Sequence, residues 1–445
     1  MGKRILIISS RPPGHSAGLG QSIMQLLKKD GYEVDFLTKI DTPGLEPQVS
    51  TVFVRSKLKV FKDNLKNFKP YRTVHDGFHT LKNLLRKKKN FEGNLYALYY
   101  EDEKEPGVPV NSLLEKIQGP YDAVITLFWE GMLNSSSVKA VYDKLKCPVL
   151  ILSVDMAPMT GGCFYFGNCS NFTNECRDCP LKMSEPDKEK IHQNFILKKL
   201  NYGASNCAFL GNTWMIENAK KSGLFKNLHK IELFIDENFF IPVPKKEARK
   251  RLNIPDNKDF VILLRSSSEP RKGTKDISAA LEKFTATLSP NQRKNLLILT
   301  IGDEYFGTVS PDLKDITLEL GIVDPQTLKL CYQASDVFIN ASTDDAGPSM
   351  INQSLMCGTP VIGYDNGAAL DVIVDGESGF KVKTGDSDDL AVKIPLIYNL
   401  SENERMKLSH SSRDVALKHN SGDAFIKNLN EILLAMNSYE RKNNI

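Results

Sequence analysis

The sequence has no apolar run that approaches the roughly 20 residues needed for a membrane-spanning helix. It also lacks a secretory signal pattern, because Met1 to Arg4 lead into only four apolar residues, Ile5 to Ile8, before polar Ser9. No internal repeat and no low-complexity segment is found. These absences argue against a membrane-spanning, secreted or repeat protein. We therefore expect a cytoplasmic protein whose cysteines are reduced.

An excess of one charge is also absent, since 58 Lys and Arg stand against 54 Asp and Glu and the net charge is +4. This balance gives no reason to expect a nucleic-acid partner. One stretch departs from it, because residues 55–89 contain twelve Lys and Arg against Asp63 and Asp76. The stretch is either the solvated face of a helix or a surface for anionic lipid head groups or a pyrophosphate-linked acceptor. On the second reading, the protein associates with the inner leaflet of a membrane.

The sequence does contain many short apolar runs separated by helical segments, which is typical of α/β proteins. Its 445 residues exceed what one hydrophobic core usually serves, so two domains are expected. The runs that read as buried parallel strands are 5–8, 34–37, 123–128, 148–153, 260–264, 296–300, 337–339 and 360–363.

These runs predict two Rossmann-like domains that face each other across a cleft. We expect them to span residues 1–235 and 236–422, with a C-terminal helix, 423–445, packed back on the first domain. Ligands of open α/β sheets lie beyond the carboxyl ends of the strands. The cleft between the domains is therefore the expected place for a reaction between two substrates.

A cationic loop follows the first predicted strand of the second domain. It begins at Arg265 and ends at Lys272 and Gly273, where a helix is expected to start. Cations at a strand end, next to helix N–H groups, suit a diphosphate. Taken alone, the segment also fits an ordinary basic loop.

A second segment, residues 340–362, runs from a strand through a helix into another strand. Asp345 and Gln353 are eight positions apart, at the helix entry and two turns inside it. One side chain can then reach a sugar hydroxyl and the other a ribose, with helix amides between them for phosphate. The residues that we assign to this binding turn are Gly347, Ser349 and Met350.

Residues 340–362 resemble the signature of the retaining GT-B glycosyltransferases usually numbered family 4, E-x7-E followed by a G-x-P-V strand entry. Lys272-Gly273, 334–338, 376–380 and 385–391 resemble further motifs of that family, so the resemblance covers most of the chain. It implies an α/β protein of the GT-B fold whose C-terminal domain binds a nucleoside-diphosphate sugar. A UDP-sugar is favoured as donor, with a GDP-sugar as the alternative.

The resemblance also implies a reaction and roles for residues. It implies a retaining hexosyltransferase that needs no catalytic metal. Asp345 corresponds to the residue that contacts the transferred sugar and Gln353 to the one that contacts the ribose, while Arg265 and Lys272 face the diphosphate. Asp386-Ser387-Asp388 spells the D-x-D motif with which the other glycosyltransferase fold holds a metal. Its position here favours a helix N-cap instead.

Two departures from the family signature keep a second function open. The first acid is Asp345 where the family has Glu, with Asp344 beside it, and the second is the neutral Gln353. Gln still donates and accepts hydrogen bonds but carries no charge. The alternative is a degenerate, non-catalytic GT-B protein that binds a nucleotide-sugar or a partner enzyme. For a GT-B phosphorylase, the sequence lacks the context of a pyridoxal lysine.

The N-terminal half carries a subgroup pattern. The run from Asp155 to Tyr165 and the cysteines after it are similar to a pattern of bacterial glycosyltransferases that assemble exopolysaccharide, capsule and O-antigen. This likeness implies a glycan or lipid-linked oligosaccharide acceptor in surface polysaccharide synthesis. Val154 and Ala157 replace the His and Trp of that pattern. Asp155, at the strand end, is expected to point into the cleft and is the second candidate catalytic residue.

Four cysteines of the loop 163–180 are spaced C-x5-C-x6-C-x2-C. They are Cys163, Cys169, Cys176 and Cys179. Thiolates in such a short segment suit a structural zinc ion. Two disulfides and free buried thiols are the alternatives.

The loop from Arg11 to Gly20 looks like the family's first glycine-rich loop. Glycine lets backbone approach a phosphate closely, so Gly18 is a candidate donor contact. His15 is either a substrate contact or a solvent-facing side chain.

Overall fold

We analysed a computed structural model of the chain, which describes residues 3–12, 18–40, 49–53, 102–181, 183–347 and 349–443. His15 and the whole basic stretch 55–89 lie outside these residues. The described part contains two parallel sheets, one of seven strands and one of six. Among the described residues, no helix has the length and apolar character needed to cross a membrane.

The first sheet has the strand order β3-β2-β1-β4-β5-β6-β7. Its strands are β1 (Arg4–Ser9), β2 (Glu33–Ile40), β3 (Val49–Phe53), β4 (Ala123–Leu127), β5 (Val149–Leu152), β6 (Cys207–Gly211) and β7 (Asn227–Lys230). The helices of this half are α1 (Leu19–Lys29), α2 (Val110–Glu115), α3 (Ser135–Leu145), α4 (Glu185–Gly203) and α5 (Thr213–Ser222). All strand pairs are parallel, and the order reverses between β1 and β4, which opens a crevice at their carboxyl ends.

The second sheet repeats this plan in the order β10-β9-β8-β11-β12-β13. Its strands are β8 (Phe260–Ser266), β9 (Leu296–Gly302), β10 (Thr317–Glu319), β11 (Val337–Asn340), β12 (Val361–Tyr364) and β13 (Gly379–Val382). Its helices are α6 (Lys245–Arg251), α7 (Thr274–Ala286), α8 (Pro290–Asn295), α9 (Phe306–Val309), α10 (Pro325–Ala334), α11 (Ser349–Met356), α12 (Ala369–Val372), α13 (Ser387–Tyr398), α14 (Glu402–Asn420) and α15 (Gly422–Asn443). The predicted α/β class with two Rossmann-like units is confirmed.

Each sheet is covered on both faces by buried apolar side chains, so its central strands are apolar along most of their length. β1, for example, buries Ile5, Leu6, Ile7 and Ile8, alternately in the two clusters of the first sheet. This pattern explains why continuous apolar runs identified most of the central strands. The exception is β6, which is buried throughout but was not predicted.

The chain passes between the two sheets at two neighbouring points. The backbone N–H of Ile235 donates to the carbonyl of Asn420 (3.0 Å), and the Asn420 side chain donates to the carbonyl of Leu233 (2.9 Å). After this crossing, α15 packs against the first sheet through Phe425, Leu429, Ile432, Leu433 and Met436. The domain boundaries expected at 235 and 422 stay predictions.

Candidate active site

A cavity of about 740 Å³ lies between the carboxyl ends of the two sheets. The N-terminal half lines it with Arg11, Phe128, Val154 and Tyr165, among others. The C-terminal half contributes most of the predicted donor-site residues, namely Arg265, Lys272, Asp345, Gly347, Ser349, Met350 and Gln353. Two segments far apart in sequence, the cationic loop and the signature segment, therefore meet in one place.

The turn after β8 places Lys272 in this cavity. Residues Pro270–Lys272 form a short 3-10 helix, and Gly273 then turns the chain into α7 with φ 69°. A Cβ at Gly273 would lie 2.0 Å from the carbonyl oxygen of Ala341, so only glycine fits without moving the β11 loop. The glycine thus brings the cationic turn directly against the signature segment.

The central feature of the cavity is a cluster of two cations and one carboxylate. The Lys272 ammonium forms an ion pair with Asp345 Oδ2, and Arg271 Nη1 lies 3.6 Å from the same oxygen. The side chains of Arg271 and Lys272 are each 11% exposed, and that of Asp345 is 9% exposed. Burial lowers the pKa of Lys272, and the Asp345 carboxylate opposes that shift. The three groups thus compensate one another's charge away from bulk water.

The loop that carries the four cysteines reaches this cluster from the N-terminal half. The ring of Tyr165 lies over the Arg271 guanidinium, with 3.8 Å between the guanidinium carbon and the ring centroid. Two residues further on, the Gly167 N–H donates to Asp344 Oδ2 at 2.6 Å. Arg271 also donates to the Asp344 carbonyl at 3.1 Å. The cation cluster is therefore bounded by residues of both halves.

Burial raises the pKa of Asp344 to about 6, although the Gly167 N–H and the Arg271 cation favour the ionised form. Asp344 is thus tied to the loop rather than to the cavity, because Asp345 and not Asp344 belongs to the cavity lining. Of the two adjacent acids that the sequence offered for the sugar contact, the geometry favours Asp345.

The signature helix α11 begins at the cavity wall. Gly347, Ser349 and Met350 line the cavity at its N-terminus, and Gln353 lies one turn further along. The Tyr332 hydroxyl donates to Gln353 Oε1 at 3.1 Å, which fixes the orientation of this buried amide. The other end of the amide, Nε2, is a hydrogen-bond donor.

Of the predicted donor contacts Arg265 and Gly18, only Arg265 lines the cavity. Arg265 lines the cavity with its side chain 39% exposed, and its nearest carboxylate, Asp303, is 3.9 Å away. Gly18 adopts φ 76° at the N-terminus of α1 but is not part of the cavity lining, where its neighbours Leu19 and Ser22 are found. Gly18 therefore contributes to the turn before α1 and not to the cavity lining.

The expectation that Asp155 points into the cleft needs correcting. Val154 lines the cavity, whereas Asp155 Oδ1 accepts a hydrogen bond from the Ala157 N–H at 2.8 Å. Burial raises the pKa of Asp155 to about 6. The carboxylate turns toward the backbone because the chain bends there into a short 3-10 helix, Ala157–Met159.

A buried lysine holds the other end of this bend. Lys198 Nζ donates to the carbonyls of Ala157 (2.6 Å) and Thr160 (2.7 Å) and lies 3.5 Å from Glu103, whose side chain is likewise 1% exposed. The Glu103 carboxylate also accepts from the Ser135 N–H and hydroxyl. Asp155 and Lys198 therefore anchor the base of the loop whose tip carries Tyr165.

A second set of contacts joins the halves beside the cavity. Asp371 of the C-terminal half accepts from the Thr213 N–H at 2.9 Å and pairs with Lys230. Glu232 hydrogen-bonds to Asp371, and burial together with that charge raises the pKa of Glu232 well above its usual range.

The four cysteines of the loop do not fit the zinc site that their spacing allows. All of them are free thiols, and the described residues contain no group of three or more His, Cys, Asp or Glu side chains that could hold a metal ion. Separate backbone groups engage the sulfurs, because Gly161 N–H donates to Cys176 Sγ (3.2 Å) and Asn171 N–H to Cys169 Sγ (3.4 Å). The structure therefore favours the free-thiol alternative over zinc and over disulfides.

The D-x-D run is a helix cap, as its position indicated. Asp386 Oδ1 accepts from the N–H groups of Asp388 (3.1 Å) and Asp389 (2.9 Å) at the start of α13. Asp388 forms an ion pair with Lys283 at the surface.

Sequence reasoning missed the parts of the site that depend on contact across the cleft. Tyr165 ends the run from Asp155, and Arg271 lies in the cationic loop between Arg265 and Lys272. No local sequence pattern shows that the two side chains stack. An Arg next to the motif lysine was the one signal available.

The loop makes a direct prediction about thiols and metal. Purified protein should carry no stoichiometric zinc, and after denaturation all eight cysteines should react with a thiol reagent without prior reduction. Metal analysis and thiol titration check this together. About one zinc per chain, or four thiols that appear only after reduction, would contradict the free-thiol arrangement.

Residues 244–415 match the family model described as "Glycosyl transferases group 1". A D-inositol 3-phosphate glycosyltransferase from Stackebrandtia nassauensis is 28% identical over 168 residues, 35% of this chain and 38% of the relative. The alpha-monoglucosyldiacylglycerol synthase of Streptococcus pneumoniae is 32% identical over 127 residues, 27% of each protein. The chain thus spans about two fifths or less of the length of these curated relatives.

Solved structures match over almost the whole chain. Sucrose-phosphate synthase from Thermosynechococcus elongatus gives a TM-score of 0.59 at 16% identity, covering 99% of this chain and 98% of that one. Anabaena HepE in complex with UDP gives 0.59 at 15% identity, covering 97% and 100%. At this identity the similarity shows the fold alone, which is GT-B.

Proposed function

We propose that the chain is a retaining glycosyltransferase, because residues 244–415 match the model of the group 1 glycosyl transferases. It transfers a hexose from a nucleoside-diphosphate sugar, with a UDP-sugar favoured, to a glycan or lipid-linked acceptor. The pathway that fits its subgroup pattern is bacterial surface polysaccharide synthesis.

One observation carries the proposal. Lys272 and Arg271 lie beside the N-terminus of α11 in a 740 Å³ cavity between two Rossmann-like units. Cations and free helix N–H groups together form an anion site, and a cavity between two sheets has room for donor and acceptor at once.

In this proposal, Lys272, Arg271 and the more exposed Arg265 bind the diphosphate. The turn at Gly347, Ser349 and Met350 adds backbone N–H groups. The Gln353 amide donates to a ribose hydroxyl, since its oxygen is already engaged by Tyr332.

The proposed reaction depends on stabilising the negative charge that develops on the leaving diphosphate. As the bond between sugar and diphosphate breaks, charge grows on the leaving phosphate, and preorganised cations stabilise that state more than the ground state. The acceptor hydroxyl attacks from the same face of the sugar and gives its proton to the departing phosphate oxygen, which retains the configuration. Asp345 accepts a hydrogen bond from the transferred sugar, and no side chain is assigned as nucleophile.

The acceptor enters on the side of the N-terminal half. Phe128 offers an aromatic wall there, and Arg11 lies over its ring, 4.5 Å from the centroid. Asp155 acts on this side as a positioning residue, because its carboxylate holds the backbone of the loop that carries Tyr165.

The comparisons supply context for donor and acceptor. The named relatives are a D-inositol 3-phosphate glycosyltransferase and an alpha-monoglucosyldiacylglycerol synthase, and HepE was solved with UDP. These names support a nucleotide-sugar donor and a polar or lipid-linked acceptor here. Metal-independent transfer is supported by Asp386, whose carboxylate caps α13 rather than facing the cavity.

A donor screen tests the function. We expect at least one nucleoside-diphosphate sugar to raise the melting temperature of the wild type, since ligand at 100 times Kd adds about 2.7 kcal/mol. Lys272→Ala should lose this shift. Lys283→Ala removes a surface lysine of α7 that pairs with Asp388, and it should keep the shift.

With the stabilising donor, transfer or slow hydrolysis should persist in EDTA, and proton NMR should find the released sugar with the donor's anomeric configuration. If no donor stabilises the wild type, or if Lys272→Ala responds like Lys283→Ala, the proposed site is wrong. Binding without any turnover would favour the non-catalytic alternative.

We also propose peripheral contact with an anionic membrane surface, which rests on the charge of residues 55–89. Co-sedimentation with vesicles of phosphatidylglycerol should exceed that with phosphatidylcholine vesicles and fall as salt rises. Equal recovery with both lipids would contradict it.

A further inference from the structure

The Asp345 carboxylate occupies the position where an incoming diphosphate would need the cations. It pairs with the Lys272 ammonium and lies 3.6 Å from Arg271 Nη1. All three side chains line the cavity proposed to bind the donor, and none is more than 11% exposed. The site thus supplies its two cations with an anion from the protein itself.

The need for such an anion is electrostatic. Two cations largely removed from water lose much of their hydration, which a nearby carboxylate offsets. Glu269 also pairs with Arg271 at 2.7 Å, but its side chain is 53% exposed and more strongly screened. Asp345 is therefore the better-buried counter-ion of the cluster.

A diphosphate competes with Asp345 for these groups. It carries more negative charge than one carboxylate, and like charges that share the same cations repel each other in a partly buried site. Phosphate oxygens that bind Lys272 and Arg271 must therefore displace the carboxylate or lie beside it at an electrostatic cost.

We propose that Asp345 is the internal counter-ion of the donor site and is released by the donor diphosphate. This inference rests on the proposed function. Before the donor binds, the carboxylate offsets the charge of Lys272 and Arg271. When the diphosphate takes over both cations, Asp345 becomes free to accept a hydrogen bond from the sugar. Occupancy of the diphosphate site and positioning of the sugar are thereby linked through one residue.

The proposal predicts opposite changes in binding and turnover. Asp345→Asn keeps the shape but removes the competing charge, so inorganic pyrophosphate should bind about tenfold tighter than to the wild type. Turnover should fall, because the amide is a weaker acceptor for the sugar hydroxyl. Asp345→Glu keeps the charge and should bind pyrophosphate like the wild type.

Isothermal titration with inorganic pyrophosphate and with UDP gives the affinities, and the pyrophosphate arm does not depend on the nucleobase. Asp388→Asn is the matched control, because it removes a carboxylate from an exposed Lys pair outside the cavity. It should leave both affinities unchanged. Equal or weaker pyrophosphate binding by Asp345→Asn would overturn the proposal.

A second comparison guards against misfolding of the single variant. Arg271→Gln/Asp345→Asn removes one cation and one anion, so the net charge of the cluster stays as in the wild type. It should bind pyrophosphate about tenfold tighter than Arg271→Gln alone, because Lys272 has lost its counter-ion. Equal affinity of these two variants would also overturn the proposal.

The experiments distinguish a failure of the counter-ion proposal from a failure of the proposed function. If Asp345→Asn binds pyrophosphate more tightly but the wild type transfers no sugar, the counter-ion stands and the function falls. If the wild type transfers sugar and the affinity of Asp345→Asn is unchanged, the function stands and the counter-ion falls.

Discussion

Arg271 and Lys272 lie in the cleft with 11% of each side chain exposed, and the cost of keeping two cations there shapes their surroundings. The Asp345 carboxylate offsets the charge, and the Tyr165 ring covers the Arg271 guanidinium. Since Tyr165 belongs to the N-terminal half, this contact also joins the two Rossmann-like units. The proposed anion site thus has residues of both halves around it, although its cations lie in the C-terminal half.

Much of the fold could be predicted from the sequence because both sheets are covered on both faces. β1 and β8 read as continuous apolar runs for this reason. β7 was missed, since Asn227–Lys230 contains one apolar residue and lies at a sheet edge. β10, three residues long and only partly buried, likewise left no periodic signal.

For the site, too, local sequence patterns and contacts between distant segments contribute different information. Lys272, Asp345 and Gln353 were predicted because each sits at a strand end or helix start that local sequence reveals. Asp155 was assigned to the cleft from its place after β5, but the side-chain direction depends on a bend that Lys198 fixes from α4. Contacts between distant segments decide such details, and one sequence does not report them.

We propose that Tyr165 of the N-terminal half supports the diphosphate site, because its ring covers the Arg271 guanidinium. A double-mutant cycle with Tyr165→Leu and Arg271→Gln, measured by pyrophosphate affinity, tests it most directly. If the ring orients the guanidinium, the two losses should be non-additive, with a coupling of about 0.5–2 kcal/mol. Losses that add to within about 0.3 kcal/mol would show that the two residues act independently, which would contradict the claim.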